Sequence, residues 1–178
     1  MSKTPTDEQA KAIECQGNTV ITARPDSGKT FTISQKIAAE SKTLLSYQGI
    51  IAISYTRKAS DELKTRCERL GTKRNSSFFG TIDLFCLHEI VSPFLSRYNG
   101  RNTELEITNE ATRADKLIRS GTAYLAKRGL TTGKISIDLL CDAALEVLKN
   151  VAATRRYLKA RYTSVYIDEY QDCGAAST

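Results

Sequence analysis

Eight residues constrain this chain more than any others: Ala23-Arg24-Pro25-Asp26-Ser27-Gly28-Lys29-Thr30. The short apolar run before them, Val20-Ile21-Thr22-Ala23, reads as a buried strand. The residues after them, Phe31 to Glu40, read as a helix. A strand, a tight loop and a Gly-Lys-Thr that opens a helix form the context a phosphate-binding loop needs. Backbone N–H groups at the start of the helix point at an anion, and the helix dipole favours negative charge there. Lys29 can reach the β- and γ-phosphates of a nucleotide, and the Thr30 hydroxyl can ligate Mg²⁺. The usual loop has Gly five residues before Gly28, where this chain has Ala23.

The chain has 178 residues, of which 40% are hydrophobic and 26% charged, the composition of a globular domain rather than a disordered one. Its apolar runs are too short to span a bilayer, and no secretory signal opens it. Five cysteines (Cys15, Cys67, Cys86, Cys141 and Cys173) are spread without a close pair, and His88 is the single histidine. That spacing does not resemble a zinc site, and the odd number argues against a full disulfide set. They read as reduced core cysteines of an intracellular protein. The net charge is +6, with basic residues gathered at Arg57, Lys58, Lys64, Arg66, Arg69, Lys73 and Arg74, and again at Arg155, Arg156, Lys159 and Arg161. Both clusters suit phosphate backbones, and both suit a solvated helix face.

In chain order, Thr6 is a candidate N-cap with Gln9 at capping-box spacing. Gln9 is either that cap or, since an amide donates and accepts at once, a reader of an adenine edge. Gly49 to Ser54 reads as a second buried strand, followed by the polar Tyr55-Thr56-Arg57-Lys58. Ala59, Leu63, Cys67 and Leu70 then recur at helical spacing. Tyr55 to Lys58 therefore lie at the carboxyl end of a strand, where open α/β sheets place ligands. Ser76 to Thr81 is a weaker strand, and Ile82 to Leu95 a helix stopped near Pro93. Residues 97–108 read as a loop. A helix from Thr108 or Asn109 to about Arg128 follows, with Gly129 and Gly133 as punctuation, and another from Ser136 to Asn150. The last strand, Ser164 to Ile167, ends in Asp168-Glu169-Tyr170-Gln171-Asp172. Beside a phosphate loop, such an acidic pair is the second half of an ATPase site: the first acid holds Mg²⁺, and the second polarises the attacking water.

With both ends in view, the chain resembles the first motor domain of superfamily 1 DNA helicases of the UvrD/Rep type. Thr6-Asp7-Glu8-Gln9 resembles the family's adenine-reading motif, and Ala23 to Thr30 its Walker A. Ile53-Ser54-Tyr55-Thr56-Arg57-Lys58-Ala59 is similar to motif Ia, and Gly80-Thr81-Ile82-Asp83-Leu84-Phe85-Cys86 to a second segment on the DNA path. Asp168-Glu169-Tyr170-Gln171-Asp172 matches the Asp-Glu-x-Gln-Asp of the family's Walker B. Arg24 and Asp26 stand where the family commonly has glycines, Arg57 replaces an Asn, and Asp83 replaces a His that faces DNA.

The resemblance implies an α/β fold: a RecA-like P-loop NTPase domain over residues 1–178, with a parallel sheet and, over 90–150, a helical 1B-like insertion. It implies ATP and Mg²⁺ as cofactors. Ala23, Arg24, Pro25, Asp26, Ser27, Gly28, Lys29 and Thr30 would hold the phosphates and Gln9 the adenine. Thr30 and Asp168 would hold the metal, Glu169 would orient water, and Gln171 would couple nucleotide to motion. Tyr55, Thr56, Arg57 and Thr81 would line the path of single-stranded DNA. The implied parent activity is ATP-driven translocation with duplex unwinding, in the cytoplasm and without a membrane. The family continues past its Walker B into a third motif and a second motor domain whose arginines complete the ATP site, so the chain is expected to be a fragment of low activity by itself. The rival reading is a nucleotide-binding module or regulatory ATPase that unwinds nothing.

Overall fold

The computed structural model describes residues 4–22, 24, 27–72, 76–109 and 121–169. The chain forms two compact units, one from residues 1–81 and 161–178 and the other from 82–160.

The first unit is built on a sheet of three parallel strands in the order β2-β1-β5: β1 Gly49–Ile53, β2 Phe78–Gly80 and β5 Tyr162–Ile167. All five residues of β1 are buried, as a central parallel strand requires. Ile51 of β1 pairs with Phe78 on one side and Val165 on the other. Helices α1 Asp7–Glu14, α2 Lys29–Ser41 and α3 Arg57–Arg69 complete the unit. Ile37 of α2 and Leu63 and Cys67 of α3 bury themselves against Ile50 and Ala52 of β1, with Ile33, Phe79 and Tyr166 packed around them. Burying each large aliphatic side chain contributes roughly 1.5–3 kcal/mol, so this cluster holds α2 and α3 on one face of the sheet. Gly49 starts β1 because a Cβ there would stand 2.4 Å from the backbone of Ser76 and Ser77.

The apolar run Val20 to Ala23 does not form the expected buried strand over its described part. Residues 19–22 carry no strand hydrogen bonds and Val20 is 87% exposed. An apolar run becomes a strand only by pairing, and among the described residues 19–22 pair with neither outer strand of the β2-β1-β5 sheet.

The second unit is mostly helical. A continuous helical run comprises α4 Ile82–Phe85, a π-helical stretch Cys86–Val91, and α5 Ser92–Asn99. Pro93 lies inside this run without stopping it: the π-helical stretch before it, with Ser92 N–H donating to the Leu87 carbonyl, has already left the i→i−4 pattern that a proline interrupts. Within 97–108, α5 persists to Asn99 and β3 Glu106–Thr108 forms, pairing in parallel with β4 Lys134–Ser136. Helix α6 Thr122–Thr132 runs through Gly129 and ends at Gly133, whose φ of 81° is the left-handed cap. A 3₁₀ turn Ile137–Leu139 leads into α7 Leu140–Asn150, and α8 Ala152–Arg161 follows. Leu140, Ala144 and Val147 face inward at helical spacing, while Ile137, which lies in the 3₁₀ turn before the helix, is 38% exposed. The Phe94 and Tyr157 rings lie 5.5 Å apart, and the Tyr157 hydroxyl donates to the buried Glu89.

Candidate nucleotide site

Three parallel strands place their carboxyl ends along one edge of the sheet, and the candidate residues of the first unit collect there. The ladder between β1 and β5 extends one residue past β5, with Asp168 N–H donating to the Ile53 carbonyl at 2.9 Å. This sets the Asp168 carboxylate under the start of α2, where the Thr30 hydroxyl donates to its Oδ2 at 3.1 Å. Asp168 is 4% exposed. Burial pushes its carboxyl pKa up, the Thr30 hydrogen bond opposes this, and the neighbouring Glu169 charge adds to the rise.

Beside that contact, Lys29 Nζ lies 3.5 Å from Glu169 Oε2. Glu169 has a φ of 57°, the one positive value at a described residue other than glycine. A left-handed backbone costs most side chains roughly 1–2 kcal/mol, and such strain collects at functional sites.

The turn into α2 is shaped by Gly28, the helix N-cap, at φ 91°. Glycine adopts that conformation without penalty. It also leaves room for its neighbour, since a Cβ on Gly28 would meet Gln9 Nε2 at 2.9 Å. Ser27 N–H donates to the Arg24 carbonyl at 3.2 Å.

Gln9 uses both ends of its amide. Its Oε1 accepts from Thr6 N–H at 3.1 Å, and Thr6 Oγ1 accepts from Gln9 N–H, so the capping box is formed. Its Nε2 donates to the Ser27 carbonyl at 3.1 Å, which ties α1 to the candidate phosphate loop.

Lys29, Thr30, Asp168 and Glu169 thus come together from the two ends of the sequence, with Gln9, Ser27 and Gly28 adjoining. Tyr55, Thr56, Arg57 and Thr81 sit on the same sheet edge, after β1 and β2. Tyr55 is 62% exposed, Arg57 and Lys58 are exposed, and the Thr56 hydroxyl caps α3 by accepting from Ala59 N–H. Ala23, Pro25, Asp26 and Gln171, like Tyr170 and Asp172, lie outside the described residues. Asp83 belongs to the second unit, where its Oδ1 is 3.9 Å from Cys141 Sγ.

A magnesium site fits the donor set: a hydroxyl and a carboxylate, both hard oxygen ligands, already lie within hydrogen-bonding distance of each other. Magnesium keeps several waters and shares phosphate oxygens, so two protein ligands suffice.

Three arrangements escaped sequence reasoning. The Glu40 carboxylate accepts from Thr163, Ser164 and Tyr166 hydroxyls. The Lys36 ammonium donates to the carbonyls of Ala12, Ile13 and Cys15 at the end of α1. Cys86 and Cys141 have their sulfurs 3.9 Å apart, and Cys15 is exposed rather than in a core. A run of hydroxyl residues on β5, Thr163, Ser164 and Tyr166, was the signal available for the first of these; the other two leave no pattern in the sequence.

An α/β unit whose parallel sheet brings an acid under a Gly-Lys-Thr helix start is a RecA-like domain. The profile of the UvrD/REP helicase N-terminal domain matches residues 5–127, and the chain belongs to that family. It is similar to the Gabija protein GajB of Bacillus cereus, 31% identical over 167 residues that make up 90% of this chain and 32% of GajB. It is also similar to the exonuclease/helicase subunit RexA of Lactococcus lactis subsp. cremoris, 37% identical over 65 residues, 36% of this chain and 5% of RexA. A probable DNA helicase II homolog of Mycoplasma pneumoniae is 29% identical over 97 residues, 53% of this chain and 13% of the homolog. The chain spans no more than 32% of the length of these relatives. Among the described residues, no helix is long and apolar enough to cross a membrane.

Proposed function

We propose that this chain is the ATP-binding part of a helicase motor that moves on single-stranded DNA and opens duplex at a junction. The observation that carries the reading is the hydrogen bond between Thr30 and Asp168, 138 residues apart, with the Lys29–Glu169 pair beside it. Two halves of a phosphate and metal site meet only if the chain is folded around them.

In this reading Mg²⁺, when bound with ATP, supplies the Lewis acid that neutralises charge on the transferring phosphoryl. Thr30 and Asp168 hold the metal, Asp168 in its ionised form. Lys29 leaves Glu169 to meet the β- and γ-phosphates. Glu169 then orients the attacking water and takes its proton. Gln9, anchored on Ser27, meets the adenine, and residues 23–28 cradle the phosphates. Gln171 couples the nucleotide state to motion. Tyr55 stacks on a base, while Thr56, Arg57 and Thr81 follow the strand along the sheet edge. We read the 90–150 stretch of the second unit as a 1B-like insertion, and the working place as the cytoplasm, where the DNA is.

A second motor domain supplies arginines to the ATP site in this scheme. Such residues contribute on the order of 10³–10⁵ in rate in related P-loop enzymes. The 178-residue chain alone is therefore expected to bind nucleotide and turn it over slowly. Calorimetry with a non-hydrolysable ATP analogue and Mg²⁺ tests this: binding that is lost in Lys29→Ala supports the reading, and a wild-type chain that binds no nucleotide overturns it.

A further inference from the structure

The helix that opens with Lys29 and Thr30 is attached to β5 at two points. One is the Thr30–Asp168 hydrogen bond just described. The other lies near the opposite end of α2, where Glu40 meets the first residues of β5. Its Oε1 accepts from Thr163 Oγ1 at 2.9 Å and from Ser164 Oγ at 2.6 Å, and its Oε2 accepts from the Tyr166 hydroxyl. The Thr163 hydroxyl also lies 3.3 Å from the Gly49 carbonyl, with which its single proton is shared, so the contact reaches β1.

The two attachments are matched in length. Thr30 and Glu40 are separated by about 15 Å of helix at 1.5 Å per residue. Ser164 and Asp168 are separated by roughly 13 Å of strand at about 3.3 Å per residue. With both points made, α2 can neither slide along β5 nor pivot about its apolar contact at Ile37. Hydrogen bonds to an ionised acceptor are about twice as strong as neutral ones, which suits a carboxylate to this task.

We infer that Glu40 is a positioning residue: by fixing the far end of α2 to β5, it holds Thr30 and Asp168 at the spacing a magnesium-bridged nucleotide needs. The inference rests on the nucleotide site proposed above. Glu40 touches neither metal nor phosphate, so its effect falls on the part of the affinity that depends on magnesium. Binding in the absence of magnesium rests on Gly28, Lys29 and the start of α2, which keep their mutual geometry if the helix shifts as a body, whereas the spacing of Thr30 from Asp168 spans two elements and changes.

The test compares affinity for a non-hydrolysable ATP analogue in Mg²⁺ and in EDTA for wild type, Glu40→Ala, Glu40→Gln and Tyr166→Phe. Outer residues that orient metal ligands commonly contribute about 10–100-fold to metal affinity. Glu40→Ala is expected to lose about tenfold of the magnesium-dependent gain, with its affinity in EDTA unchanged. Glu40→Gln keeps an acceptor oxygen and should recover most of the loss. Tyr166→Phe removes one of the three hydroxyls without emptying its packing site and should lose a smaller part, so the proposal is tested even if Glu40→Ala fails to fold. A magnesium gain that is intact in Tyr166→Phe and Glu40→Ala, or a loss equal in Mg²⁺ and EDTA, overturns the inference while leaving the nucleotide site standing. A wild-type chain with no magnesium gain overturns both.

Discussion

Lys29 and Glu169 form an ion pair at 3.5 Å, with side chains 24% and 34% exposed. The pair puts the candidate phosphate-binding cation and the candidate catalytic carboxylate in each other's way. A phosphate that reaches Lys29 displaces Glu169 and meets its charge. Partly exposed pairs of this kind are worth about 0.2–1 kcal/mol. Glu169→Gln should therefore tighten binding of an ATP analogue by about two- to fivefold, and abolish what hydrolysis the chain shows. Calorimetry and a phosphate-release assay check the two halves; weaker binding in Glu169→Gln would show that the carboxylate helps to hold the nucleotide.

Glu169 also carries a backbone cost. Its φ of 57° is one that alanine adopts no more readily than glutamate, whereas glycine adopts it freely. Glu169→Gly is expected to be about 1 kcal/mol more stable than Glu169→Ala. Urea unfolding of the two variants measures it, and equal midpoints would mean that this residue is not left-handed in solution.

Asp168 links stability to pH. Burial chiefly, with Glu169's charge, raises its pKa above the ordinary 3.8. The folded state thus holds this proton more tightly than the unfolded state does. The stability it contributes is fully present below pH 3.8 and is lost as pH rises through the raised folded value. Asp168→Asn should therefore melt higher than wild type at neutral pH, with the difference closing as pH falls towards the ordinary carboxylate value. Magnesium needs the ionised carboxylate, so nucleotide affinity in Mg²⁺ should climb over the same window and stay flat in Asp168→Asn. Melting curves across pH decide it; a variant that melts lower than wild type at neutral pH contradicts the assignment.

Among the described residues, Tyr55 is the most exposed aromatic on the sheet edge that carries the site, at 62%. A base stacked on it is worth about 1–3 kcal/mol, so Tyr55→Ala should weaken binding of a short single-stranded oligonucleotide by about fivefold or more. Affinity should also fall steeply with salt as Arg57 and Lys58 give up phosphates. Fluorescence anisotropy with a labelled oligonucleotide reads both; salt-independent binding, or none at low salt, would remove DNA from this edge.

Much of the first unit was legible because its signals are local. Gly28, Lys29 and Thr30 announce a loop and a helix start, the run from Gly49 to Ile53 announces a buried parallel strand, and Thr6 with Gln9 announces a cap. Asp168 and Glu169 at the end of β5 were expected beside Lys29 and Thr30, and the structure brings the four together. What could not be read depends on tertiary partners. Val20 has strand composition, but pairing is decided elsewhere in the sheet. Pro93 breaks most helices, yet the π-helical stretch just before it has already left the i→i−4 bonding pattern. Glu40 at the end of an amphipathic helix looks like any solvated acid until β5 brings three hydroxyls to it. The 3.9 Å approach of Cys86 and Cys141 depends on how two helical segments pack, which their separate sequences do not encode.

The order of the strands also sets a timetable. Ile50 and the Ser77 hydroxyl it donates to are 27 residues apart, so β1 and β2 can join soon after both are made. Gly49 and Thr163 are 114 residues apart, and Thr30 and Asp168 are 138. At roughly 5–20 residues per second on the ribosome, β1 waits on the order of ten seconds with one edge open while the second unit is synthesised. An unpaired apolar edge is a template for wrong partners, and contacts of such long range are slow to form. The nascent chain is thus most prone to mispair in this interval, and its candidate nucleotide site is assembled only when β5 pairs with β1.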